Sequence, residues 1–393
     1  MDEQGVAGRL RQQRNLRGLT QRQLADRAHY SVSLVKQVEQ GTTPASSAFV
    51  ASAARALGVR PADLYGADER DLVQQPTVDT LGIADLRTAI DSYDDPRPEG
   101  NPMTLAQATR RVSALGTRIY GQRSAEGARD LAHVLHHLYV LADLPGEAGE
   151  PARAVLHDAY RLAASMAGRH RQADIAAIAS ERHVQLAPAT GDPLRVAVSA
   201  FHRSTRHLQF ADYRGGIRAI ERARAHLDTS ADGRAIEAQF NLRAAVLAAR
   251  SGDVAEADEY ISAARAVVDE FAPPRETYLS IDASPVNVLV HWCAAPVENY
   301  DGTEAVRRAA QVRVVDPSRP ERVAHHHIDM ARAWLLNGGR DQVLAHLNEA
   351  RRVLPEETRR HPSVRETVLS LAATDRRTTS SLAGFARWAG ITL

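Results

Sequence analysis

The sequence predicts an all-α protein in two parts, a small bundle of five short helices followed by a long run of helical hairpins. Three observations carry this. Alanine recurs along the whole chain while aromatic residues make up 5% of it, and alanine is both the best helix former and small enough to let helices approach closely. From about Met103 onward, helix-length stretches alternate with short breaks such as LPGEAGEP (144–151), APATGDP (187–193), RSGDV (250–254), FAPP (271–274) and NGGR (337–340). An apolar content of 44% over 393 residues supports a real core and allows a small domain plus an extended array.

The elements of the first part follow in order. Val6–Arg17 has apolar positions at Val6, Leu10 and Leu16 and ends at Gly18. In GLTQRQLADRA, Thr20 is a good N-cap with Gln23 at capping-box spacing, and Leu24, Ala25 and Ala28 give one apolar face. After the break HYS, Ser31 can cap a third helix whose buried side carries Val35 and Val38, with Gly41 closing it in the left-handed conformation. A fourth helix is expected over 45–57 and a fifth from Pro61 to Tyr65.

Charge is uneven. The first 65 residues carry nine basic side chains against five acidic ones, a net of +4 within an overall charge of +1, so the remainder is slightly acidic. Such a basic module suits a phosphate-binding head. Among 48 arginines the single lysine, Lys36, falls in the third helix.

Two short helices joined by a tight turn inside a small bundle make a helix-turn-helix. Arg14, Gly18–Gln21, Leu24–Ala25, Val38–Glu39, Gly41 and Pro44 resemble the pattern of the lambdoid-repressor type, often called the XRE family. In that geometry the second helix of the motif enters the major groove. Its non-core positions are Val32, Ser33, Lys36 and Gln37. Ser33 and Gln37 can offer hydrogen bonds to base edges, and Val32 can meet a thymine methyl. The resemblance implies a phosphate contact at Gln21, helped by the helix dipole, with Gln40 and Thr42 as further phosphate candidates. It also implies a structural ion pair between Arg14 and Glu39.

This head is expected over residues 1–66. Gly66–Thr80 reads as a hinge, 81–93 as a short amphipathic helix, and 94–102, with three prolines, as a loop, so 67–102 forms a linker. The body spans 103–393. Its units FNLRAAVLAARSGDVAEADEYISAARAV, HIDMARAWLLNGGRDQVLAHLNEARRVLP and FHRSTRHLQFADYRGGIRAIERARAHL look like degenerate repeats of a tetratricopeptide solenoid. Head and body together are similar to actinobacterial regulators with tetratricopeptide-like C-terminal domains and, more distantly, to peptide-sensing quorum regulators of Gram-positive bacteria. On that resemblance the body carries dimerisation and effector sensing.

Stacked hairpins line a groove with the first helix of each pair. Counting from the Gly-Asp turn nominates Gln239, Leu242, Arg243, Val246 and Arg250, and in the preceding unit Phe201, His202, Thr205 and Gln209. Asn287 and His291 stand one turn apart, and His326, Asp329 and Asn337 belong to the later unit. An arginine and an asparagine there would suit a peptide's carboxylate and amides.

Other chemistries find little footing. No acidic or cysteine partner stands at ligand spacing beside the histidines at 133, 136 and 137, and the three adjacent histidines at 325–327 cannot share one helical face, so no metal is expected. No nucleotide-binding, nucleophile-elbow or zinc-protease motif appears, so neither enzyme activity nor a cofactor is expected. Cys293 stands alone, no apolar run reaches eighteen residues, and the start lacks a secretory signal, all fitting a cytoplasmic protein without a membrane span. The expected partners are double-stranded DNA with an inverted-repeat operator, a second copy of the chain, and a small-molecule or peptide effector. The alternative is a DNA-tethered scaffold whose solenoid recruits a protein.

Overall fold

The computed structural model describes residues 5–66, 78–118, 124–170, 172–270, 281, 283–374 and 380–393. Among the described residues all regular structure is helical.

The head comprises α1 (Val6–Leu16), α2 (Gln21–Ala28), α3 (Val32–Glu39), α4 (Ser47–Leu57) and α5 (Pro61–Tyr65). Its core gathers Leu10, Leu24, Val35, Phe49 and Leu64, all fully buried. The capping box forms: Gln23 N donates to Thr20 Oγ1 at 3.1 Å, and Thr20 N donates to Gln23 Oε1 at 2.9 Å. Ser31 Oγ accepts from Leu34 N at 3.2 Å, so only His29, left-handed, Tyr30 and Ser31 separate α2 from α3. Gly41 closes α3 at φ 73°, a conformation that favours glycine.

Behind it, α6 (Val78–Asp91), α7 (Leu105–Arg118), α8 (Ser124–Ala142), α9 (Glu150–Arg169) and α10 (Ala173–Leu186) enclose a second core around Leu86, Leu131, Leu135 and Leu162. The helix expected at 81–93 therefore runs from Val78 to Asp91 and is packed into this core, with Arg129 Nε bonded to Asp85 at 2.9 Å. Of the expected hinge, residues 67–77 lie outside the described residues. The proline loop is pinned by two histidines: Arg97 N donates to His136 Nδ1 at 3.2 Å and Met103 N to His137 Nδ1 at 3.4 Å. Both imidazoles accept, so both are neutral there, and burial pushes both pKa values down.

Three helix pairs match the units read from the sequence. In α11 (Pro193–Gln209) and α12 (Tyr213–Ala223), Asp212 caps the second helix through Gly215 N at 3.2 Å. In α13 (Ala231–Arg250) and α14 (Val254–Glu270), Ala257 and Ala264 are fully buried where the two helices meet. Then come α15 (Pro285–Glu298) with α16 (Gly302–Ala309), and α17 (Pro320–Leu336) with α18 (Arg340–Val353). Three more helices, α19 (Pro355–Arg360), α20 (Pro362–Thr374) and α21 (Ser380–Ala389), follow them. The break expected at 271–274 lies outside the described residues.

The head is docked on these pairs. Seven of the eleven residues of α4 are buried, more than the head's own core needs. Ala51 belongs instead to the core built by α11 to α15. Three hydrogen bonds fix the contact. Ser46 N donates to Tyr300 Oη at 3.0 Å, Tyr213 Oη to Ala48 O at 3.2 Å, and Arg55 Nη1 to Ala211 O at 3.0 Å.

Candidate nucleic-acid interface

Val32, Ser33, Lys36 and Gln37 all stand exposed on α3, on the side away from Val35 and Val38. Val32 is 41% exposed, an apolar side chain left outside a core that had room for its neighbours. Gln37 Oε1 accepts from Thr43 Oγ1 at 3.3 Å, which leaves its amide N–H groups facing outward. Thr42 is exposed, but its hydroxyl donates to Gln37 O at 3.1 Å, and Gln40 is exposed at the C-cap.

Beneath this face lies a three-residue lock. Glu39 is 2% exposed and takes both Arg14 Nε at 2.6 Å and Arg14 Nη2 at 2.9 Å. Gln21 Nε2 donates to the same carboxylate at 2.7 Å. The fork joins α1 to α3, while Gln21 ties in the first turn of α2, so all three helices meet at one buried carboxylate. Glu39 holds the Arg14 guanidinium above its ordinary pKa. Gln21, expected on phosphate, thus has its amide committed to Glu39.

Three further arginines of the head point at helix ends. Arg9 bonds Leu64 O at 2.9 Å and Tyr65 O at 2.7 Å, Arg11 bonds Glu39 O, and Arg17 bonds Leu57 O. Each supplies a cation to carbonyls left over at a helix C-terminus. Part of the head's basic excess is therefore structural. Sequence reading counted the charges but had no signal for which were spent on carbonyls.

The second site is a cavity of about 470 Å³ between head and body. The first helices of successive pairs line it, together with Ser47, Ala51, Pro61 and Tyr65 of the head. Of the residues nominated for an effector, Thr205, Gln209, Val246, Arg250, His291 and Asp329 line it. Arg243 sits one turn before Val246, its guanidinium 4.7 Å from the centroid of the Phe201 ring, and His202 packs beside that ring. Leu242 does not reach it: position 242 falls on the side of α13 that enters the core, and it is fully buried. Gln239, Asn287 and His326 are likewise buried away from the cavity. Asn337 ends α17 on the surface, where its Oδ1 accepts from Thr303 Oγ1 at 3.3 Å.

Three charged cavity residues were missed. Glu298 receives Arg332 Nη1 at 3.1 Å and lies 3.2 Å from Arg250 Nε, an ion-pair contact not aligned as a hydrogen bond. Arg332 also holds Asp329 at 3.0 Å, yet burial still pushes Asp329 up to about 6. Arg322 lines the same space. Glu298 stands at a helix end and the arginines in an arginine-rich chain, so nothing local marks them.

Burial pushes the Cys293 thiol up to about 12, which leaves it protonated and unreactive. Among the described residues no helix is long and apolar enough to cross a membrane. Comparison with curated proteins and with solved structures found no match. Residues 6–72 match the family model of a helix-turn-helix domain, the stretch that contains the α2–turn–α3 unit and its exposed face. The chain carries an N-terminal helix-turn-helix domain, the kind of domain that suggests DNA binding.

Proposed function

We propose that the protein is a homodimeric transcription regulator of the XRE type, whose C-terminal helical pairs form a tetratricopeptide-like sensor. The observation that carries this reading is the exposed quartet Val32, Ser33, Lys36 and Gln37 on a helix held from behind by the Arg14–Glu39–Gln21 lock. Ser33 and Gln37 read base edges, Lys36 meets backbone or base, and Gln40 approaches phosphate from the end of α3, where both Thr42 donors are instead taken by Gln37 O. Two heads would occupy successive major grooves about 34 Å apart on an inverted repeat. An effector held between head and body changes operator binding only by its different affinity for two head positions. The protein acts in the cytoplasm, without a cofactor and without enzymatic activity.

Footprinting of the purified protein on DNA upstream of its own gene, at near-physiological salt, tests this. Two protected half-sites one helical turn apart support the dimeric reader. Unchanged operator preference in Ser33→Ala and Gln37→Ala would remove the recognition helix from the account. Co-purification of a stable protein partner, with no effector-dependent change in footprint, would favour a DNA-tethered scaffold.

A further inference from the structure

One face of α20 runs along the head. Pro362 and Ser363 share the head–body cavity with Pro61 and Tyr65. Ser370 and Leu371 line a second cavity, of about 340 Å³, with Thr42, Thr43 and Pro44 beyond α3. Ser363, Glu366 and Ser370 stand at i, i+3 and i+7, one stripe of the helix, so Glu366 lies midway along this seam. It is 7% exposed, and its Oε1 is buried with no hydrogen-bond partner among the described residues. From the head, Arg9 on α1 acts on this carboxyl, and the carboxyl in turn raises the Tyr65 phenol on α5. Arg9 gives Nε and Nη2 to the carbonyls of Leu64 and Tyr65. The other cation that acts on Glu366 is Arg365 of its own helix. Burial outweighs both and pushes the carboxyl up to about 7. The helices α17, α19 and α21 also pack on α20. At the cavity end, beside His361, α17 brings Arg322, His325, Asp329 and Arg332, with Arg332 on Asp329 at 3.0 Å. The charged residues of α19 include Glu356, Glu357 and Arg359, and α21 carries the exposed Arg387.

An ionised carboxylate enclosed without donors is costly, so the enclosed group keeps its proton. Lifting the head would open the seam and return Glu366 to water, where it ionises near its ordinary value of 4.5. The head can move as a unit, because Leu10, Leu24, Val35, Phe49 and Leu64 form a core of its own. We propose that Glu366 is a proton-operated latch: closing the head over α20 takes up one proton from water at this carboxyl, and loss of that proton favours release. A carboxyl raised in the closed form supports closure at low pH, and that contribution is lost as pH rises through about 7. With about 7 closed and 4.5 open, closure weakens by up to tenfold per pH unit between them, roughly fiftyfold from pH 5 to 7.5. The latch sets the position of the recognition helix relative to the body, with or without an effector.

Hydrogen exchange in the full chain tests this at single amides. Ser46 N–H is bonded across the seam to Tyr300 Oη and exchanges when the head lifts, whereas Val35 N–H is bonded inside the head to Ser31 O. The parent is compared with Glu366→Gln, so that every other titrating group cancels in the ratio of protections. At Ser46 the ratio of variant to parent should rise roughly fiftyfold from pH 5 to 7.5. At Val35 it should stay constant. Glu366→Met, uncharged and of similar length, should give the same result and serves if the glutamine variant does not fold. A constant ratio at Ser46 would overturn the proposal. An equal rise at Val35 would place the effect in the folding of the head and overturn it too. A rise with glutamine but not with methionine would assign the effect to a hydrogen bond, and the proton latch would fall.

Discussion

The phenolic oxygen of Tyr300 accepts the backbone N–H of Ser46 at 3.0 Å, across 254 residues of chain. Both residues sit at turning points. Ser46 Oγ caps α4 through Phe49 N at 3.1 Å, and Tyr300 adopts a left-handed φ of 61° between α15 and α16. Burial pushes the phenol up to about 12, so it remains protonated. Tyr300→Phe leaves a buried N–H without its acceptor, which should cost about 1–3 kcal/mol. Urea unfolding followed by tryptophan fluorescence reads this, and hydrogen exchange should quicken at the start of α4. Unchanged exchange there would mean that this bond does not secure the head.

The lock beneath the recognition helix and the face above it should separate in their effects. Glu39→Ala strands the Arg14 guanidinium and frees three helices from one another, a loss of about 3 kcal/mol or more for a broken buried pair. Ser33→Ala and Gln37→Ala should leave the melting temperature within error. Each should weaken operator binding by about 1–3 kcal/mol while sparing non-specific DNA. Lys36→Gln should lower the salt dependence of binding by about one phosphate contact. Equal losses of stability in all four variants would show the face to be structural.

Gly302 marks a close crossing of α16 and α17. A Cβ there would lie 2.5 Å from Ala333 O and 2.8 Å from Leu336 Cβ, both at the end of α17. Gly302→Ala should destabilise by about 1–3 kcal/mol, as overpacking does. Gly384, exposed within α21 with nothing within 4 Å of a built Cβ, is the control. Gly384→Ala should be neutral or raise the melting temperature through helix propensity.

Acid stability should depend on buried histidines. His326 is held down to about 3, and His346 and His361 to about 4, each chiefly by burial. His361 also faces Arg332 and the ring of His325, and its Nδ1 accepts from Ser363 N at 3.2 Å. The unfolded chain takes up protons near 6.5 that the folded chain refuses until about 4. These groups therefore contribute stability above 6.5 that is lost as pH falls through that window. Asp329, raised to about 6, and Glu366, raised to about 7, act in the opposite sense. His361→Asn keeps an acceptor for Ser363 N and should flatten the acid limb by up to about 1.4 kcal/mol per pH unit between pH 6 and 4.5. Parallel pH–stability curves for the two proteins would show that His361 does not contribute.

The sequence by itself determined what is local. Thr20 with Gln23, Ser31, Gly41 and the apolar spacing of Leu24, Val35 and Val38 specify α2, the turn and α3, because capping and periodicity act within a few residues. The same holds for the hairpins around Asp212, Gly252 and Gly338. The tertiary structure decided what depends on residues far apart in the chain. It packed α6 into a core with α8, seated α4 on Tyr213 and Tyr300, and turned Arg9, Arg11 and Arg17 onto carbonyls. It also brought Arg250, Arg322, Glu298 and Arg332 around one cavity. Whether an arginine meets a carbonyl, a carboxylate, a ring or another arginine is set by neighbours tens to hundreds of residues away. Electrostatic pairing has no period along the chain, so no pattern in the sequence announces it.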